Sequence, residues 1–326
     1  MTRLAMLHPS NLLGQEVRET LDRHRDLWRE MVLLTTREEE VGNLTDVRGA
    51  AAMVQAYEPQ ALAGVDLVFF CGPHAANRQV LEALPPAATA VLLSADATAQ
   101  DGRPLVAGVN LEDAYRGEML LSPHAAAIAL CLLLHPLRGL GVQSATATVV
   151  LPASMREQDA LDELFNQTRA ILAFAEKKPQ DVYGRQMAFN LAPAEADGQP
   201  DIGGLVHAIL GGGPRVSAQL VEGGIFHSLS LSLHLHFDKD PGLEALRDAL
   251  EEQPGVEFQD DDDAPGPIDA AARDELLIGR LARDPQTSSD SSAGYWIWAV
   301  MDNLSRGGAL NAVAILEKVL DSPPAS

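Results

Sequence analysis

Cysteine is nearly absent from these 326 residues: Cys71 and Cys131 are the only two. Two thiols cannot build a disulfide framework, so the chain is expected in a reducing compartment, the cytoplasm. Basic residues are scarce as well, 24 against 46 acids, for a formal net charge of −22. That balance argues against nucleic acid and against membrane surfaces as partners, since both call for a basic face. Long apolar runs are missing too. The longest, Ala125 to Leu134, is too short to span a bilayer and reads as a buried helix. The opening "MTRLAMLHPS" has neither an apolar core nor a cleavage site, so no signal peptide is expected. What is present is ordinary globular composition, 46% hydrophobic and 21% charged, in a chain long enough for two cores.

The first third alternates short apolar runs with helical patterns. "RLAML", "MVLLTT", "VDLVFFCG" and "TAVLLS" read as strands, and "LGQEVRETLDRH", with its acids and bases on one face, and "ANRQVLEAL" as helices. Strands alternating with helices predict an α/β, doubly wound parallel sheet. The texture then changes. "VQSATATVVLP" reads as a strand and "REQDALDELFNQTRAILAF" as an amphipathic helix. "HSLSLSLHLHF", residues 227 to 237, alternates with period two: Leu229, Leu231, Leu233, Leu235 and Phe237 on one face, Ser228, Ser230, Ser232, His234 and His236 on the other. A long antiparallel strand with one face on a core predicts an α+β second half. "QDDDDAPGPID" lacks the spacing and glycine of a calcium loop and reads as a solvated loop. "SRGGALNAVAILEKVL" reads as a glycine turn and a closing amphipathic helix. His234 and His236 could share a metal, but no third ligand stands at fitting spacing, so no metal is expected.

"LLSPHAAAIALCLLLHPL", residues 120 to 137, has the form of an active-site turn: a strand end, Ser122-Pro123-His124, then a helix. A nucleophile at such a helix head would sit among backbone N–H groups that stabilise negative charge. The helix head here is alanine.

Taken in order, several stretches resemble the aspartate-semialdehyde dehydrogenase family over nearly the whole chain: "LLGQEV", "PLVAGVN", "MAFNLAP", "IGRLARDP" and, most specifically, "MDNLSRGGALNAVAILE". The resemblance implies a Rossmann-like dinucleotide-binding domain over residues 1–124, an α+β dimerisation domain over 125–305, and a helix over 306–326 that returns to the first domain. It also implies a chemistry in which a cysteine in a motif like "NPNCST" attacks an aldehyde, hydride passes to NADP, and phosphate resolves the thioester. The matching residues are Ser122 to Ala127 without a gap, and Ala125 stands at the cysteine. A methyl group cannot attack a carbonyl. Cys131 lies nearly two turns further into the helix and reads as core. Cys71, at a strand end, is left open between a structural and a reactive role, and His124 between an idle residue and a base.

The family's acid/base histidine matches His227. The arginine that clamps the substrate carboxylate falls on Leu220 or Glu222, depending on register, and the family's glutamine falls on Leu151. The glycine loop "GATGAVG" becomes His8-Pro9-Ser10-Asn11-Leu12-Leu13-Gly14, in which only Gly14, the packing glycine, remains. His8 and Asn11 put side chains where a pyrophosphate would come near, and Pro9 removes a donor. Gly72 and Arg37 persist at the second loop and at the ribose end, with Pro73 and His74 following the first and Glu38, Glu39 and Glu40 the second. The expectation is a catalytically silent homologue of the Usg type: a homodimer with no cofactor, vestigial at His227, Gly14, Arg37 and Gly72, with a binding or scaffolding role. The alternative is an active NAD(P)-dependent oxidoreductase on another aldehyde or oxo substrate, using His227.

Overall fold

The computed structural model describes residues 2–195, 200–259, 264–287 and 292–322; the acidic run Asp260 to Asp263 lies outside them. The chain divides into two compact units, Met1–Ala125 with Gly308–Ser326, and Ala126–Gly307.

The first unit is built on β1 (Arg3–Leu7), α1 (Leu12–Arg23), β2 (Glu30–Thr35), a hairpin of β3 (Leu44–Val47) and β4 (Ala50–Met53), β5 (Gln55–Ala56), β6 (Leu67–Phe70), α2 (His74–Glu82), β7 (Thr89–Leu92), β8 (Arg103–Pro104) and β9 (Met119–Leu121). Seven strands form one parallel sheet in the order β5-β2-β1-β6-β7-β9-β8. The central strands are apolar on both faces and fully buried, as "LVFF" of β6 illustrates, because helices cover both sides of such a sheet. Strand order reverses between β1 and β6, and in doubly wound sheets the crevice at the carboxyl ends of that pair is where ligands bind. The closing helix Leu310–Asp321 buries Ala312, Val313, Ile315, Leu316 and Val319 in the same core as Leu4, Met6 and Phe69. It is entered through a π-helical turn, Ser305–Ala309, in which Gly307 N–H donates to Asp302 O at 2.8 Å. The expected glycine turn is therefore corrected. Asp302 accepts from the N–H groups of Leu304, Ser305 and Ala272, which ties the chain into a continuous helical path.

The second unit opens within α3 (Ala125–Leu134) and continues through β10 (Val142–Leu151), α4 (Glu157–Leu172), β11 (Leu191–Pro193), α5 (Ile202–Ile209), β12 (Arg215–Gly223), β13 (Leu229–Phe237), α6 (Leu243–Glu251), β14 (Val256–Phe258), α7 (Pro267–Ala270), β15 (Leu276–Arg283) and β16 (Ala293–Met301). Its seven-stranded sheet is mixed, in the order β11-β12-β10-β13-β16-β15-β14. On β13, Leu229, Leu231, Leu233, Leu235 and Phe237 have no exposed surface. Each such side chain contributes about 1.5–3 kcal/mol relative to exposure.

The opposite face of β13 corrects the sequence reading at one end. Ser228 and Ser230 are buried within the single chain. On the neighbouring strand, α7 covers this end of the sheet, with Ala270 against Val300, Leu277 and Trp298. His227 precedes the strand and is exposed; Ser228 breaks the extension with φ 68. One charge on α1 is also corrected. Arg18 turns inward, donating to Pro9 O and, at 2.7 Å, to Thr45 Oγ1.

Candidate functional site

The crevice between β1 and β6 is closed by a chain of hydrogen bonds among its own side chains. His8 ends β1 with φ 55 and is 1% exposed. Its Nδ1 lies 3.2 Å from Thr35 Oγ1 and its Nε2 3.3 Å from Thr36 Oγ1. Thr35 gives its own proton to Glu40 Oε2 at 2.9 Å and accepts from Arg37 N–H at 3.1 Å. Burial, and after it the nearby Arg37 charge, lowers the His8 pKa and favours the neutral ring. Arg37 Nη1 donates to Glu40 Oε1 at 3.1 Å. Glu40 is buried, so the third of the glutamates after Arg37 is a counter-ion within the fold. Gly72, at the end of β6, has φ +77; a Cβ there would stand 3.7 Å from His8 Cβ and 3.8 Å from Arg37 Nη2. The two side chains converge over the loop.

Both helix N-termini beside this crevice are capped from within. Asn11 Oδ1 accepts from Gly14 N–H at 2.7 Å at the head of α1, and Asp96 Oδ1 accepts from His74 N–H at 2.9 Å at the head of α2. Such N–H groups are what an incoming anion would otherwise meet. Gly14 has a packing reason of its own: a Cβ there would lie 2.7 Å from Asn11 Oδ1 and 2.9 Å from Pro9 O. Cys71 packs in the core of the unit.

The turn before α3 is equally closed. Ser122 Oγ accepts from Asn311 Nδ2 at 2.9 Å; the same nitrogen donates to Leu105 O, and Asn311 Oδ1 accepts from Ala107 N–H. Ala125 begins α3 at 4% exposure. His124 is fully buried, and desolvation pushes its pKa down to about 4, which leaves it neutral at pH 7. Cys131 is buried too, and desolvation raises its thiol pKa far above neutrality, so no thiolate forms there.

In the second unit, Leu151 stands directly opposite Glu222 in the β10–β12 register. Glu222 Oε1 accepts from Arg156 Nη1 at 3.0 Å. A cation therefore stands beside the clamp position, supplied by another element and already neutralised. His234 Nε2 is 3.0 Å from Asp284 Oδ2, and His236 is 3.9 Å from Asp238, so the two histidines have separate partners. Among the described residues no group of three or more His, Cys, Asp or Glu could hold a metal ion. None of their helices is long and apolar enough to cross a membrane. Beyond Ser230 the outer sheet face is open. Thr146, Thr148, Ser217 and Gln219 are exposed, Ser232 and His234 half-buried, and Trp296 is 45% exposed against His234.

Sequence reading named Glu40 without its pairing to Arg37 and missed Asp96, Asn311 and Arg156. The Arg37/Glu40 spacing of three carried a local signal for one pair. The others act across 22 to 204 residues, where no pattern in the sequence joins them.

A parallel doubly wound sheet joined to a unit with a mixed sheet defines a protein built on a dinucleotide-binding frame. The semialdehyde dehydrogenase dimerisation domain matches residues 134–306, and the chain belongs to that family. It is 27% identical to an aspartate-semialdehyde dehydrogenase of Bacillus subtilis (strain 168) over 97% of this chain and 96% of that one. It is 29% identical to a USG-1 protein homolog of Azotobacter vinelandii, over 97% of each. The solved structure of a probable aspartate-semialdehyde dehydrogenase from Pseudomonas aeruginosa superposes with a TM-score of 0.86 at 25% identity, over 97% of each chain.

Proposed function

We propose that this chain is a catalytically silent member of the family, a homodimer that uses the fold for binding or scaffolding rather than turnover. Ala125 carries the reading: at the head of α3, where the resemblance assigns the covalent nucleophile, stands a buried methyl group. The residues around it support the same conclusion. His124 is neutral and buried, Leu220 and Glu222 offer no cation, and Arg156 is already bound to Glu222. A nicotinamide dinucleotide would supply the hydride acceptor. His8 and Arg37 standing over Gly72, and Asn11 and Asp96 capping the helix heads, speak against its pyrophosphate in this crevice. The alternative, an oxidoreductase on another aldehyde or oxo substrate, rests on His227, which is exposed at the start of β13.

The test is a spectrophotometric assay with aspartate semialdehyde, NADP and phosphate on anaerobically purified protein. No phosphate-dependent NADPH formation is expected. Turnover by the unmodified chain would overturn the reading.

A further inference from the structure

The second unit contains a cavity of about 20 Å³ at the ends of β10 and β12, lined by Leu151, Met155 and Gly223 on its apolar side and by Arg156, Tyr183 and Glu222 on its polar side. Tyr183 is 5% exposed and its hydroxyl has no hydrogen-bond partner. An unpaired buried hydroxyl costs about 1–3 kcal/mol, so one retained at a cavity needs an explanation. The Arg156 guanidinium stands 5.2 Å from the centre of the Tyr183 ring, donating Nη1 to Glu222 and Nη2 to Val182 O at 3.1 Å. The next residue, Glu157, has φ 72, a conformation costly for a side chain with a Cβ. Strain of that kind persists where surrounding contacts hold it, and here it adjoins the one cation of the cavity wall.

We propose that Arg156 and the Tyr183 hydroxyl form a carboxylate-binding site of which Glu222 is the built-in occupant, so that the chain fills its own anion site. The guanidinium fork matches a carboxylate in shape and charge. The Tyr183 hydroxyl is the remaining donor, and the apolar wall suits a methyl or methylene group. Space of about 20 Å³ admits a water molecule and nothing larger, so a free carboxylate enters only in place of Glu222. The side chains of Arg156 and Glu222 are 34% and 15% exposed, which leaves a route from solvent. The inference does not depend on whether the chain turns over a substrate, and its test reads binding.

Glu222→Ala empties the occupant's place. Acetate is then titrated against melting temperature and amide NMR shifts at constant ionic strength, with chloride and the neutral isostere acetamide as controls. Saturable stabilisation by millimolar acetate is expected in Glu222→Ala and absent from the unmodified protein, with acetate preferred over acetamide by about tenfold. Tyr183→Phe in that background should weaken acetate several-fold, and Arg156→Met should abolish the effect. If Glu222→Ala does not fold alone, acetate should restore its folding where acetamide does not, and Glu222→Ser repeats the titration. The proposal is overturned if acetate acts no better than chloride on these variants. It is equally overturned if the unmodified protein or the Arg156→Met, Glu222→Ala double variant responds to the same extent.

Discussion

At the carboxyl ends of β1 and β6 the first unit turns its polar side chains on one another, whereas the outer face of the second unit's sheet leaves them toward solvent. In the first, His8, Thr35, Glu40 and Arg37 satisfy each other, and Asn11 and Asp96 satisfy the helix heads. In the second, Thr146, Thr148, Ser217 and Gln219 project from a sheet on whose same face Trp296 is half-exposed and Trp298 half-buried. On the proposed reading, mutually bonded groups at the crevice take the place of what a ligand would bind. The open face carries no formal charge on β10, β13 and β16 and is flanked by exposed Arg215 on β12 and Arg280 on β15. Such an uncharged centre keeps what a protein partner needs, since interface cores are depleted of charge. Two regions of one chain thus follow opposite courses, and each course can be tested.

The largest effect concerns turnover. In a hydrolase with a covalent nucleophile, loss of that residue costs roughly a millionfold. Ala125→Cys alone should nevertheless stay at background in the phosphate-dependent assay. A thiol at the head of α3 leaves Glu222 bound to Arg156 and the crevice filled. Activity rising by several orders of magnitude in this variant would mean that the closure of the first unit is superficial.

Next comes the open face. Ser232 and Thr148 stand opposite one another in the β10–β13 register, half-buried and exposed respectively. Glutamate at both should be tolerated by the single subunit. In a C2 dimer closed over this face it would bury unpaired like charges, at roughly 3–5 kcal/mol for a broken or unpaired buried charge. Sedimentation should show a dimer for the unmodified chain and, for the double variant, dissociation strengthened by at least about a hundredfold. Ser230→Glu would not serve, because Ser230 is buried in its own subunit and would report unfolding instead. A double variant that stays dimeric at low micromolar concentration places the interface elsewhere.

Much of this contrast was legible beforehand. Period-two alternation located the buried leucines of β13 and its uncharged face, since alternation in a strand is a direct image of burial. The run of alanines from Ala125 and the lost loop glycines also stood in plain view. What periodicity could not supply was the partner of each polar group. The sequence sets Arg37 at the ribose end with three acids after it but does not say which of them holds it, and that is Glu40; Arg156 and Glu222 lie 66 residues apart. The burial of Ser228 and Ser230 was hidden for the same reason, since Asn303 accepts from Ser228 N–H and α7 covers Val300 beside Ser230, both from later parts of the chain.

Closure of the turn before α3 has a pH signature. The His124 imidazole has a folded pKa of about 4 against an ordinary 6.5, with desolvation the cause. The unfolded chain therefore takes up this proton first as pH falls. Stability is fully present above about 6.5 and is lost progressively between 6.5 and 4, by about 3 kcal/mol in all. Urea unfolding at pH 4.5, 5.5 and 7 should show this slope, and His124→Gln should flatten most of it. His8, whose pKa is lowered in the same direction, accounts for part of what remains. An unchanged slope in His124→Gln would place the proton uptake at another group.

The smallest effect is the most direct probe of the filled crevice. The unmodified protein should bind NADP or NAD more weakly than about millimolar, worth less than about 4 kcal/mol. Three substitutions reopen the space one cause at a time. His8→Gly removes the imidazole at a position whose φ of 55 glycine adopts freely. Asn11→Gly uncaps α1, and Asp96→Ala takes a carboxylate from the head of α2. Arg37 would then be free to meet a phosphate only if Glu40 released it, so the gain should be modest, about tenfold in the triple variant. Adding Glu40→Gln should bring a further gain for NADP and little for NAD, because only the former carries the extra phosphate that an unpaired Arg37 would recognise. Calorimetric titration separates these cases. Micromolar binding by the unmodified chain would show that the hydrogen-bonded chain from Thr36 to Arg37 opens readily. The oxidoreductase reading would then take precedence over the silent one.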